Sequence, residues 1–190
     1  MPLLSESRFN AYNQLSVVTL MMVLGFDIKS ILKNMSKLKI AETRYEKIKL
    51  KNNKHLIKHL TKGQNPLACS NVFDFVRNYE GKKNVILMLD DKSDNEEGVE
   101  VVLWHYDADY EFLNDDSIER IIIIGPRSKD IYVRSLLAGI DGSKLFVFEN
   151  QKDAHNYITT EGIDTLFLLN DMYIEKEASE LKDYILETFK

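Results

Sequence analysis

The run IIIIGPRSKDIYVRSLLAG, residues 121–139, passes from four consecutive isoleucines through a Gly-Pro turn into a segment with helical spacing. An unbroken apolar run bounded by turn residues is the pattern of a strand buried on both faces, as in parallel sheets covered by helices on each side. The same alternation extends in both directions. Val85–Leu89, Leu145–Phe148 and Leu166–Leu169 are equally apolar, while Leu67–Tyr79, Ile131–Leu137, Ala154–Ile158 and Ile174–Phe189 supply helices between or after them. Strands joined in this way imply right-handed crossovers. The expected fold is α/β, a Rossmann-like, doubly wound and mostly parallel sheet.

Upstream the rhythm differs. Leu15, Val18, Met22 and Val23 recur at helical spacing from Asn10 to Leu24, and Gly25 is placed to end that helix. The apolar stretch Leu15–Leu24 is too short to span a bilayer and has neither a basic leader nor a small-residue cleavage site, so a buried helix is expected. Asp27 can cap a second helix from Ile28 to about Leu38. Arg44–Leu50 and His55–Leu60 alternate apolar and polar residues around Lys51, Asn52 and Asn53, the mark of a β-hairpin. Its lysines are expected to face solvent. The sheet should thus be preceded by a helical hairpin and a β-hairpin, with domains at 1–42 and 43–190.

Composition narrows the function. A 190-residue chain with 44% hydrophobic residues and only three prolines can bury one ordinary core. Its net charge of −5 provides no general attraction for nucleic acid. A single cysteine, Cys69, permits no internal disulfide, suits a reducing cytoplasm, and reads as a small apolar helix residue.

Several chemistries lack their fingerprints. There is no G-x-x-x-x-G-K-[ST] loop for nucleotide phosphates, no G-x-G-x-x-G after a strand, no G-x-S-x-G elbow and no H-E-x-x-H helix. His55 and His59 stand four apart, but in a strand that spacing does not converge on one ion. The acidic segment Asp90–Gly98 lacks EF-hand spacing and reads as a solvated turn at the carboxyl end of the Val85–Leu89 strand, where ligands of open sheets gather. Beyond it, Trp104, His105, Tyr106 and Tyr110 surround Asp107 and Asp109. Such crowding can desolvate a carboxylate and tune it. The alternative is an aromatic core segment with two surface aspartates on one face.

Five segments carry a resemblance to a known family. FNAYNQL (9–15) resembles the F-N-x-Y-N-x-L element at the end of the central domain of Mur ligases. TRYE (43–46) resembles the Gly-Arg-x-Glu hinge into their C-terminal domain, with Thr43 in place of glycine. QNP (64–66) is similar to the Lys-Asn-Pro opening the first helix of that domain in the lipid II isoglutaminyl synthase branch. VVLWHYDADYE (101–111) resembles the S-W-x-W-D-x-D-F-E segment of the same branch. Gly125, Arg127 and Asp130–Gly139 then follow its G-x-R-x-x-D-x-x-x-R-L-x-x-A-G pattern.

The resemblance implies an ATP-dependent amide ligase subunit that works with a class I glutaminase-like amidotransferase, in the cytoplasm, on D-glutamate of the lipid II stem peptide. It implies that Asn10 and Asn13 lie by the adenine of ATP and that Arg44 approaches its phosphates. It further implies that Asp107, or alternatively Asp109, completes the partner's Cys-His pair. ATP and Mg2+ belong to the parent enzyme. With no phosphate loop, with Thr61 near the place of a ribose-binding aspartate and with no metal ligands of its own, this chain alone is expected neither to hold nucleotide tightly nor to form an amide. Two other expectations fit the same residues: a non-catalytic protein-interaction module, and a C-terminal fragment of another Mur-type amino-acid or folate ligase.

Overall fold

A computed structural model of the chain describes residues 8–38, 44–61, 65–89 and 102–190. They fall in two compact units, Met1–Tyr45 and Glu46–Lys190.

In the first unit, α1 (Arg8–Val23) and α2 (Ile28–Met35) form the expected helical hairpin. Gly25, at φ +86°, lets its own N–H reach Met22 O at 3.0 Å and that of Phe26 reach Met21 O at 3.1 Å. These bonds satisfy carbonyls that the last turn leaves open. Asp27 accepts from the Ser30 N–H at 2.9 Å and starts α2. Val18, Ile31 and Met35 pack together against Met21. The expectation of a buried α1 is corrected: Leu15, Leu20, Met22 and Val23 are exposed. α2 covers one stripe of α1, whose apolar side chains are spread over more than that one face.

The second unit is the α/β domain. Its elements run β1 (Tyr45–Lys49), β2 (His55–Leu60), α3 (Pro66–Asn78), β3 (Lys83–Met88), α4 (Trp104–Asp107), β4 (Ile118–Ile124), α5 (Ser128–Leu137), β5 (Leu145–Phe148), α6 (Gln151–Ala154), β6 (Thr165–Asn170) and α7 (Glu175–Phe189). The sheet order is β1-β2-β6-β3-β4-β5. Neighbours from β2 to β5 are parallel, with Ile57 opposite Phe167, Val85 opposite Phe167 and Ile121, and Ile124 opposite Phe148. Leu50 N–H donates to Lys54 O at 2.8 Å across the short turn between β1 and β2, a connection that only antiparallel strands allow.

The chain winds outward through β3, β4 and β5, with α3, α4 and α5 on one side of the sheet. It then returns by α6, inserts β6 between β2 and β3, and lays α7 on the opposite side. Alternation divides the core accordingly. Leu56, Ile86, Ile122, Leu166 and Leu168 join Ala178, Leu181 and Ile185 of α7. Phe167 points the other way, where Phe75 of α3 meets it edge-on at 6.2 Å. Each such apolar side chain contributes about 1.5–3 kcal/mol on burial.

One expectation about the hairpin is corrected. Lys47, Lys49 and Lys51 are solvated, but Lys58 is buried and pairs with Glu175 at 2.5 Å. β2 is an interior strand with helices over its faces, so alternation there exchanges one covered side for another. Among the described residues, no helix is long and apolar enough to cross a membrane.

Candidate functional site

Trp104 and His105 open α4 and turn into the core, stacked with ring centroids 3.7 Å apart. Tyr110 follows in a short 3-10 turn, Tyr110–Leu113, and is wholly buried with Phe73 edge-on at 5.0 Å. Burial pushes the Tyr110 phenol well above its ordinary pKa. It therefore stays protonated and can donate to His105 Nδ1, 2.7 Å away. This pair gives both polar groups a partner inside an otherwise apolar layer.

Two helices hold the backbone of this segment. From α5, Arg134 Nε donates to His105 O at 3.1 Å, and Nη2 donates to Ala108 O at 2.8 Å and to the Glu111 carboxylate. From α3, Ser70 Oγ accepts the Asp109 N–H at 2.8 Å and donates to Pro66 O at the same distance. The carboxylates of Asp107 and Asp109 remain in solvent at the outer edge of this fixed turn. The segment is not an alternating strand: helical backbone ends at Ala108, with φ −88° and ψ 140°, before the 3-10 turn. The aromatics anchor the turn instead of enclosing the carboxylates.

Residues implied for nucleotide binding fall in the first unit. Asn10 and Asn13 are three apart on α1 and so share a face. The Asn10 side chain lies outside the described residues, while Asn13 and Arg44 are exposed. A solvated amide that both donates and accepts, and a solvated guanidinium, are chemically suited to an adenine edge and a phosphate. Thr43 and Gln64 lie outside the described residues. Thr61 is buried, and both its N–H and its hydroxyl donate to Asn170 O at 2.9 Å, which makes it a tie between β2 and β6. Asn65 caps α3 by accepting from the Ala68 N–H at 2.9 Å.

Among the described residues no group of three or more His, Cys, Asp or Glu side chains could hold a metal ion. The acidic segment Asp90–Gly98 lies outside them. His55 and His59 both lie in β2, where strand rise separates them by about 13 Å. Burial lowers the pKa of His59, whose Nδ1–H donates to Leu60 O at 2.9 Å. Cys69 is buried in α3, and desolvation pushes its thiol far above its ordinary pKa, so it is an inert core residue.

A cleft of about 300 Å³ opens at the carboxyl ends of β3 and β4. Met88, Leu89, Ile124 and Ile174 are apolar in its lining, and Glu149 and Glu177 are acidic. Neither Asp107 nor Asp109 lines it. Reasoning from sequence also missed Ser70, Glu111 and the Lys58–Glu175 pair. The only signal for the last was a lysine at a position that becomes interior once β6 pairs with β2.

A family model described as MurT ligase C-terminal matches residues 60–174. Two curated relatives, the MurT subunits of lipid II isoglutaminyl synthase (glutamine-hydrolyzing) from Staphylococcus aureus strains COL and N315, are 29% identical over 133 residues. The match takes in 70% of this chain but 29% of each relative's length. Two crystal structures of MurF from Acinetobacter baumannii share the fold at TM-scores of 0.65 and 0.67 and 19% identity. They cover 93% of this chain and 38% of their own. A structure of UDP-N-acetylmuramoyl-L-alanyl-D-glutamate--2,6-diaminopimelate ligase aligns at TM-score 0.52 and 15% identity, over 96% of this chain and 39% of its own. At these identities the solved structures speak for the fold alone.

Proposed function

The chain belongs to the MurT ligase C-terminal family, and from that premise we propose that it is the C-terminal portion of an ATP-dependent amide ligase subunit that amidates the lipid II stem peptide together with a glutaminase. In this reading the parent enzyme activates the α-carboxyl of D-glutamate as an acyl phosphate. Ammonia released from glutamine by the partner attacks that carbonyl, phosphate leaves, and D-isoglutamine results. ATP with Mg2+ would supply the phosphoryl group in the parent enzyme, leaving as ADP, and Asn10 and Asn13 would meet its adenine and Arg44 its phosphates. Both the nucleotide and the precursor place this work in the cytoplasm.

The contribution of this chain's own residues centres on Asp107. Its carboxylate accepts an N–H from the partner's histidine, holds the ring in the tautomer whose other nitrogen faces the cysteine, and stabilises the imidazolium formed when the thiol is deprotonated. The observation that carries the reading is the solvated carboxylate on a turn pinned from below by Trp104, Arg134 and Ser70. A third member of a triad must be fixed in place yet reachable by another protein.

The test is co-purification of this chain with the glutaminase, followed by glutamine hydrolysis with and without Asp107→Asn. Hydrolysis is expected to fall roughly a hundredfold or more in the variant while the complex persists. Full activity in Asp107→Asn, with loss in Asp109→Asn, moves the role to Asp109. Absence of any complex removes the reading and leaves a non-catalytic module.

A further inference from the structure

The helical hairpin departs from the rest of the chain in both charge and apolar exposure. The chain as a whole carries −5, yet residues 11–38 hold Lys29, Lys33 and Lys37 against one carboxylate, Asp27. Where α1 passes into α2, Leu20, Met22, Val23, Leu24 and Phe26 are each more than half exposed, and Ile28 is exposed beside them. Single apolar side chains scattered over a surface are ordinary, whereas a contiguous group of this kind marks a place where something docks.

The backbone of this turn is closed on itself. The N–H groups of Leu24, Gly25 and Phe26 donate to Leu20 O, Met22 O and Met21 O at 3.0, 3.0 and 3.1 Å. The Asp27 carboxylate accepts from the Ser30 N–H at 2.9 Å. From Leu24 to Phe26 the turn therefore presents side chains and no open donors. That is a requirement for entering an apolar medium, where an unpaired N–H is costly. Val23, Leu24 and Phe26 stand at its tip with only Gly25 among them.

The lysines stand behind the tip. Ile31 and Met35 of α2 pack against α1. Lys29 and Lys33 each lie two residues from Ile31, about 200° around the helix, and so on the far side of α2. Both are exposed. Lys29, three residues after Phe26, can lay its methylenes along the apolar tip and keep its ammonium group in water, and Lys33 follows about 6 Å farther along α2. An apolar tip backed by cations complements a surface that is negative outside and apolar within, which describes an anionic bilayer. Two copies of the chain joined through this tip would instead bring like charges together.

We infer that the turn between α1 and α2 docks onto an anionic lipid surface, with Val23, Leu24 and Phe26 inserted and Lys29 and Lys33 against the lipid phosphates. Insertion is shallow, at the boundary between head groups and acyl chains, because neither helix is long and apolar enough to cross. The apolar tip supplies the hold, and the lysines supply the preference for negative lipid. The inference goes beyond the function proposed above and does not depend on it, since it concerns the first unit and involves no glutaminase.

The test sediments the whole chain with vesicles of phosphatidylglycerol or of phosphatidylcholine, circular dichroism confirming the fold of each variant. The unaltered chain is expected to bind phosphatidylglycerol at least about tenfold more tightly than phosphatidylcholine, and less so as salt is raised. Leu24→Asp and Phe26→Asp should each weaken binding about tenfold or more, and Lys29→Glu with Lys33→Glu should remove the preference between the two lipids. Met172→Asp, which alters an exposed apolar side chain of the α/β domain, should bind as the unaltered chain does. In Phe26→Trp the new indole should shift its emission to the blue on adding phosphatidylglycerol vesicles. No binding of the unaltered chain to either vesicle overturns the inference, as does equal binding to both. Undiminished binding in Leu24→Asp and Phe26→Asp also overturns it, because the tip is then not the contact. If the chain is a dimer that Phe26→Asp converts to monomer, and it ignores vesicles, the tip belongs to a second copy and the lipid assignment is wrong. None of these outcomes alters glutamine hydrolysis by a complex in solution, so the proposed function stands or falls separately.

Discussion

Arg134 donates from Nη2 to both carboxylate oxygens of Glu111, at 3.0 and 2.8 Å, from a position almost wholly inside the protein. The same guanidinium fixes two backbone carbonyls of the Asp107 turn, so its removal leaves buried acceptors unpaired. Arg134→Ala is expected to cost about 3 kcal/mol. Arg134→Lys, which keeps the charge but not the planar fork, should cost about half of that. Glu111→Gln should cost less than about 1 kcal/mol, because the Glu111 carboxylate is more than half exposed. Urea denaturation midpoints of the three variants check the ranking, and equal losses would contradict it.

Acid should act through the same pair. The hydrogen bond from Arg134 holds the Glu111 carboxyl below its ordinary pKa, against a smaller opposing effect of burial. A group whose pKa is lower folded than unfolded contributes stability above the unfolded value and loses it as pH falls through the folded one. The stability of the unaltered chain should therefore decline as pH drops below the ordinary glutamate range. Glu111→Gln should show a shallower decline over that interval. Thermal melts at stepped pH test this, and parallel curves would show that the pair carries no acid sensitivity.

The buried Lys58–Glu175 pair predicts an asymmetry. Lys58 Nζ is nearly inaccessible and bonds to Glu175, whereas Glu175 is partly solvated and also engages Asn170 at 2.9 Å and Ser179 at 3.2 Å. Removing the carboxylate strands a charge in the interior, while removing the ammonium leaves a carboxylate with other partners and some water. Glu175→Ala should thus cost about 3–5 kcal/mol, and Lys58→Met about 1–2 kcal/mol. The double variant should be no less stable than Glu175→Ala alone. A double-mutant cycle in urea measures the coupling, and additive single effects would mean the pair is not coupled.

The parallel strands were legible because their apolar runs, such as Ile121–Ile124, have no polar face to misassign. The Asp27 cap was legible for a local reason, since its carboxylate bonds the N–H only three residues on. What escaped is non-local. The burial of Lys58 depends on β6, over a hundred residues later, pairing beside β2. The surface placement of Asp107 and Asp109 matches the aromatic-core reading of the segment, but its backbone escaped: a period-two reading of WHYDADY suggests a strand, whereas Arg134 and Ser70 hold a helical turn and a 3-10 turn there from two helices. Exposure of α1 escaped because apolar periodicity reports a preference for burial and does not count the partners that supply it.

Ser70 offers the finest adjustment of the candidate site. Its hydroxyl accepts the Asp109 N–H and returns its proton to Pro66 O, so Ser70→Ala leaves the Asp109 N–H without that bond while removing only one atom from α3. The stability cost should be about 1 kcal/mol. The larger effect should fall on position, since the turn would then be held from α5 alone and Asp107 would sample a wider range. If Asp107 completes the glutaminase site, Ser70→Ala should lower kcat for glutamine hydrolysis by the complex several-fold with little change in KM for glutamine. Affinity between the subunits should stay within about twofold. Cys at position 70, whose thiol is a weak acceptor, should fall between Ser and Ala. An unchanged kcat in Ser70→Ala, alongside the expected loss of stability, would mean that Arg134 and the buried aromatics fix the turn without help from α3.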